Sequence, residues 1–216
     1  MNPLFDRRSA YRRTNRRATR THGLLSIIGR GAVCALGSDA ATGWRALIDG
    51  RCGISRRTVG GETATAGWVD GVLTSCDPLR VDPTLPLGLA AAREALIDAF
   101  GSDESGAPRL PQQATAAVVA SVSKGGVALD GALREAEFDG RLSTAERCSR
   151  WIDAVPVSRF ADRIAQTFGI RGPRRSPVAA CATGPLLLHI ADQLLDETLR
   201  PDPPDWVLVV SSESSL

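Results

Sequence analysis

Hydrophobic and polar positions along this chain change period several times, and each change marks a predicted element. Leu24-Leu-Ser-Ile-Ile28 is a continuous apolar run that predicts a buried strand, and Gly29, Gly31 and Gly37 punctuate the turn after it. Asp39 stands where it can cap a helix carrying Trp44, Leu47 and Ile48 on one face and stopping near Gly50. From Arg56 to Gly71 the chain is polar and rich in Gly and Thr, which predicts a loop holding one weak strand. Leu89, Ala92, Leu96 and Phe100 then recur at helical spacing, predicting a helix from about Leu85 to Phe100 that Gly101 ends.

Ser102 to Gln113 reads as a surface loop, and the Ala/Val run from Ala114 to Val122 as a strand that turns at Ser123-Lys-Gly-Gly126. Leu129 to Trp151 is charged and predicts helices and loops covering one side. Helical spacing returns through Phe160, Ile164 and Phe168, and Gly169 closes it. Arg171-Gly-Pro-Arg-Arg175 predicts a turn into a short apolar strand, Ser176 to Ala180, which breaks at Cys181 into a helix from Ala182 to about Leu199. Trp206 to Val210 predicts a last strand. This alternation predicts an α/β sheet with helices on both faces, and no internal repeat is visible.

The helix after Cys181 is unusually apolar. His189, Asp192, Gln193 and Asp196 share a polar stripe of about 100°, and Leu187, Leu188, Ile190, Ala191, Leu194 and Leu195 fill most of the remainder. Pro185 falls in the first turn, where its missing N–H costs little. Such a helix needs cover on nearly all sides. Cys181 itself is placed where a helix begins, and the unpaired N–H groups and macrodipole there favour a thiolate, the attacking form.

Composition narrows the class. The 216 residues are 43% hydrophobic, enough to bury a core as one domain or as one half of a duplicated fold. The net charge of +2 conceals a head with seven arginines and one acid, Asp6, in its first twenty residues. Residues 1–22 are read as a basic, disordered tail and 23–216 as the folded domain. Targeting, a nucleic-acid tether and an acidic-partner tether are the other readings of the head. Nucleic-acid binding is not expected, since the head lacks interleaved aromatics beyond Tyr11. No stretch reaches the ~18 consecutive apolar residues of a membrane span. Five widely spaced cysteines (Cys34, Cys52, Cys76, Cys148, Cys181), without a Cys-x-x-Cys pair and with only two histidines, argue against a disulfide framework or a zinc site and for a reducing, cytoplasmic setting.

Phe168-Gly-Ile-Arg-Gly-Pro173, followed by Val178-Ala-Ala-Cys181-Ala-Thr-Gly184, closely resembles the nucleophile region of the β-ketoacyl-acyl carrier protein synthases. Upstream, Ile28-Gly-Arg-Gly-Ala-Val33 with Leu36-Gly37, Trp44, and Leu47-Ile-Asp-Gly50-Arg-Cys-Gly53-Ile54 resemble that family's opening strand and helix. Ala90-Ala-Ala-Arg-Glu-Ala95-Leu96, Pro156-Val-Ser158 and Ser211-Ser-Glu213 are similar to later family segments, in the family's order.

The resemblance implies the N-terminal half of a thiolase-like fold, with a mixed, mostly parallel sheet and helices on both faces. It implies an acyltransferase whose catalytic Cys181 takes an acyl group from a thioester, contributes its N–H to an oxyanion hole, and passes the acyl group to the carbanion from malonyl-carrier protein in fatty-acid or polyketide synthesis. Acyl carrier protein is then the implied partner, with substrates on its phosphopantetheine and no cofactor or metal of the chain's own. A homodimer, or a partner supplying the second half, is also implied.

The family's two catalytic histidines, its helping lysine and its other oxyanion donor lie in the second half, beyond this chain. Enzyme assignment therefore rests on the family, and the isolated chain is expected to condense little or nothing. A non-catalytic or partner-dependent subunit is the alternative. His189 lies about 12 Å of helical rise from Cys181, and nothing brings His22 to it, so both are read as packing or solvated residues. Lys124, the single lysine, is read as a surface residue.

Overall fold

The computed structural model describes residues 25–59, 62–71, 82–154, 157–199 and 201–213. The basic head, His22, Cys76 and Pro156 lie outside them. Six helices and five strands are described: α1 (Ala40–Ile48), β1 (Ile54–Val59), β2 (Glu62–Gly67), α2 (Thr84–Phe100), β3 (Ala116–Ser121), α3 (Val127–Phe138), α4 (Thr144–Ala154), α5 (Val157–Thr167), β4 (Arg174–Arg175), α6 (Thr183–Leu195) and β5 (Trp206–Ser211).

The centre is a three-stranded parallel sheet in the order β4-β3-β5. Every residue of β3 is buried, as expected of a strand covered on both faces and paired on both sides. Its even-numbered side chains, Ala116, Val118 and Ala120, join Trp206, Leu208 and Val210 of β5 in packing on α2 and α5, through Ala92, Leu96, Phe160, Ala161, Ile164 and Ala165. The odd-numbered Ala117 and Val119, with Val207 and Val209, pack on Leu187, Ile190 and Leu194 of α6. Two-residue alternation in the strands thus sends one set of side chains to each helical layer, and the expected cover on both faces is present.

Both ends of the β3/β5 pair are tied by side chains. At the start, the Thr115 N–H donates to the Asp205 carboxylate at 2.7 Å. At the carboxyl end, Glu213 accepts the backbone N–H groups of Ser123 and Lys124, each at 3.0 Å, together with the Ser123 hydroxyl. β4 approaches β3 because Gly172 has no side chain: a Cβ there would collide with the Ala116 carbonyl. The Val118 N–H donates to the Pro173 carbonyl at 2.9 Å, so the Arg-Gly-Pro lead-in is a sheet-joining device.

Several expectations are corrected. Leu25 to Ile28 form no strand and are largely exposed, with Ile27 at 74%. Just beyond them, Arg30 N–H donates to Asp98 and Ala32 N–H to Glu94, both on α2, so these backbone donors are spent on carboxylates. Gly29 and Gly31 permit that approach, since a Cβ on either would strike the α2 backbone. The stretch from Arg56 to Gly71, expected as a loop with one weak strand, instead takes part in the antiparallel hairpin of β1 and β2, which pairs Ile54–Val59 with Glu62–Gly67. Trp44, Leu47 and Ile48 share a face of α1 as expected, but that face is exposed.

Asp39 caps α1 as expected: its carboxylate accepts the Thr42 N–H at 2.7 Å, and that hydrogen bond holds its pKa below the ordinary carboxylate value. The charged stretch 127–154 forms α3 and α4, which bury Leu129, Leu133, Ala136 and Leu142 in a small separate core.

Candidate active site

Parallel strands put their carboxyl ends along one edge of the sheet, where α/β folds place their chemistry. The chain leaves β4 at Arg175 and runs through Ser176 to Ala179 without a ladder. The predicted strand at 176–180 is therefore corrected to an irregular stretch, pinned where Ser176 Oγ accepts the Ala161 N–H at 3.2 Å. A short 3-10 turn, Ala180–Ala182, then leads directly into α6. Cys181 is the middle residue of that turn, and its side chain is exposed.

The turn is sharp. Ala180 has φ +46°, the only non-glycine residue with positive φ among those described. An L-residue in that region costs about 1–2 kcal/mol relative to ordinary backbone. The Thr183 side chain spans the bend: its hydroxyl donates to the Ala180 carbonyl at 2.7 Å and accepts the Ala179 N–H at 3.0 Å. Thr183 is 2% exposed. The Ala182 N–H closes the turn on the Ala179 carbonyl at 2.9 Å. Sequence reading singled out the cysteine and assigned no role to Thr183, whose hydroxyl reaches back to residues before the helix rather than capping it.

α6 is cut short relative to expectation, ending at Leu195 with Asp196 in extended conformation. Its inner side, Leu187, Ile190, Ala191 and Leu194, rests on the sheet or is buried beside it. Cys181, Pro185, Leu188 and Asp192, spaced four, three and four residues apart, are all exposed and line up along the outer side. Leu188 is 48% exposed, so the outer side mixes apolar surface with the polar stripe.

His189 is exposed and shares a hydrogen bond with Gln193 one turn further on, at 3.2 Å. The backbone of Lys124 is held by Glu213 and its side chain is exposed. No hydrogen bond or ion pair among the described residues joins the Cys181 sulfur to a base, and no group of three or more metal-ligating side chains occurs among them. The described site therefore offers an exposed thiol at a helix start. Among the described residues no helix is long and apolar enough to cross a membrane.

Comparison with known proteins agrees with this architecture. Residues 25–199 match the family described as "Beta-ketoacyl synthase, N-terminal domain". The structure is similar to a β-ketoacyl synthase from Burkholderia phymatum, with a TM-score of 0.56 and 19% identity, covering 78% of this chain and 42% of that one. It is also similar to an oxazolomycin ketosynthase domain from Streptomyces albus, with a TM-score of 0.53 and 19% identity, covering 78% of this chain and 31% of that one. The chain thus spans less than half the length of either. No curated protein matches its sequence. The fold is the N-terminal part of a thiolase-like architecture, as the sequence motifs implied.

Proposed function

The chain belongs to the β-ketoacyl synthase family, and from that premise we propose that Cys181 is the acyl-accepting nucleophile of a condensing reaction. The observation that carries this reading is an exposed thiol in the sharp turn that opens α6, at the carboxyl edge of a parallel sheet. In the proposed step the Cys181 thiolate attacks the carbonyl carbon of an acyl thioester on the phosphopantetheine of acyl carrier protein. The carbon–sulfur bond to the carrier breaks, the carrier thiolate leaves and takes up a proton, and an acyl thioester remains on Cys181. The Cys181 N–H, in the first turn, has no intrahelical acceptor and is available to the transient oxyanion.

Condensation follows when the carbanion formed by loss of carbon dioxide from malonyl-carrier protein attacks that acyl carbonyl and releases the sulfur, as in fatty-acid or polyketide biosynthesis. No described residue is bonded to the sulfur as a base, and the proposal assigns to these 216 residues the acyl-capture step alone. The 216-residue chain incubated with acyl-carrier protein is expected to take up acyl label that Cys181→Ser abolishes, with negligible condensation product from malonyl-carrier protein. Uptake that survives Cys181→Ser would refute the assignment.

A second reading, a non-catalytic or partner-dependent subunit, is favoured by the uncovered outer side of α6, where Leu188 and Pro185 face outward beside Cys181. In that case the purified chain takes up no acyl group, and a polypeptide carrying the second half restores uptake.

A further inference from the structure

We infer that Thr183 is a positioning residue for Cys181, acting through its hydroxyl rather than through its bulk; this rests on the reading of Cys181 as the nucleophile. The hydroxyl is committed at both ends, accepting the Ala179 N–H at 3.0 Å and donating to the Ala180 carbonyl at 2.7 Å. These two residues immediately precede the cysteine, and Thr183 is the first residue of α6. The side chain therefore closes a loop around the Cys181 backbone, fastening the bend before it to the helix after it.

Two further observations give the bridge its importance. Ala180 holds positive φ, a conformation an alanine keeps only when its surroundings enforce it, and the Thr183 hydroxyl is bonded to the Ala180 carbonyl. Thr183 is also 2% exposed, so water cannot readily take over both hydrogen bonds when the hydroxyl is removed. Release of the bridge lets Ala180 relax toward negative φ, which unwinds the 3-10 turn and moves the sulfur away from the place where that turn presents it. Thr183 touches no substrate in this account. It fixes where the sulfur is presented.

Valine and serine separate hydroxyl from bulk, because Thr183→Val keeps the shape and loses both hydrogen bonds, while Thr183→Ser keeps the hydroxyl and loses a methyl. The full-length chain is treated with limiting iodoacetamide, and labelling of Cys181 is quantified against Cys34, Cys52 and Cys148, which are exposed and supply internal references. Thr183→Val is expected to lower the Cys181-to-reference ratio by about tenfold or more, the effect of losing buried hydrogen bonds, and Thr183→Ser to hold it within about threefold of wild type.

A purely structural role predicts a different result: both variants lower the melting temperature, and the ratio either stays constant or falls as far in serine as in valine. Either outcome overturns the inference. Acylation by an acyl thioester, run in parallel, keeps the two proposals apart. If wild-type Cys181 takes no acyl group the nucleophile assignment fails, while the alkylation ratios still decide the role of Thr183.

Discussion

The two faces of the central sheet are finished differently. On one face α2 and α5 together cover β3 and β5, and side chains such as Ile164, Ala161 and Leu96 are fully or nearly fully buried among Phe160, Trp206 and Leu208. On the other face, among the described residues, one helix, α6, contributes Leu187 and Leu194 to a smaller cluster and leaves Pro185, Leu188 and the thiol of Cys181 outside. The first face uses its helices as cover. The second uses the sheet as a platform that fixes one helix from below and leaves the thiol at the start of that helix exposed. Packing and the proposed chemistry are thus divided between opposite sides of the same strands.

The comparison is sharpened first where the difference is largest. Ile164→Ala removes a fully buried side chain from the two-helix face and is expected to cost about 2–5 kcal/mol, read as a lower denaturation midpoint. Leu187→Ala on the platform side of α6 is expected to cost about 2–4 kcal/mol, because Leu187 is equally inaccessible but sits in a smaller cluster. Leu188→Ser, one residue along and on the outer side, is expected to change stability by only about 0.5 kcal/mol or less. A large loss at Leu188 would mean that the chain covers the outer side itself, and the division between the faces would fall.

A smaller effect concerns α1, which buries Ala46 and is capped by Asp39. Hydrogen bonding to Thr42 lowers the Asp39 pKa in the folded chain, so the cap contributes above the ordinary carboxylate pKa and is lost as pH falls through the depressed folded value. Amide exchange in α1, corrected for intrinsic rates, should therefore accelerate below that ordinary range. Asp39→Asn should remove this acid dependence, since asparagine caps without titrating there. Equal acid sensitivity in both proteins would assign the effect to another group.

Much of this was legible in the residues, and the exceptions share a cause. The helices at 84–100 and 157–167 and the strands at 116–121 and 206–211 announce themselves because their apolar period matches what their neighbours bury. Leu25 to Ile28 look equally apolar yet remain unpaired, because a strand is made by its partner and the backbone that follows is bonded to Glu94 and Asp98 instead. The hairpin at 54–67 escapes sequence reading for the opposite reason: Arg56, Arg57, Thr63 and Thr65 give it no apolar face to recognise.

At the site, the Arg-Gly-Pro and Ala-Cys-Ala motifs identified Cys181. The Thr183 bridge and the positive φ of Ala180 are properties of backbone geometry, which residue identities signal only weakly.

Peptide-resolved mass spectrometry of the full-length protein after brief exposure to an acyl thioester tests the central claim most directly. The account predicts the acyl mass on the peptide bearing Cys181, well ahead of Cys34, Cys52 and Cys148, which are also exposed. Labelling spread evenly over the four thiols, or missing from Cys181 while present on the others, would contradict it.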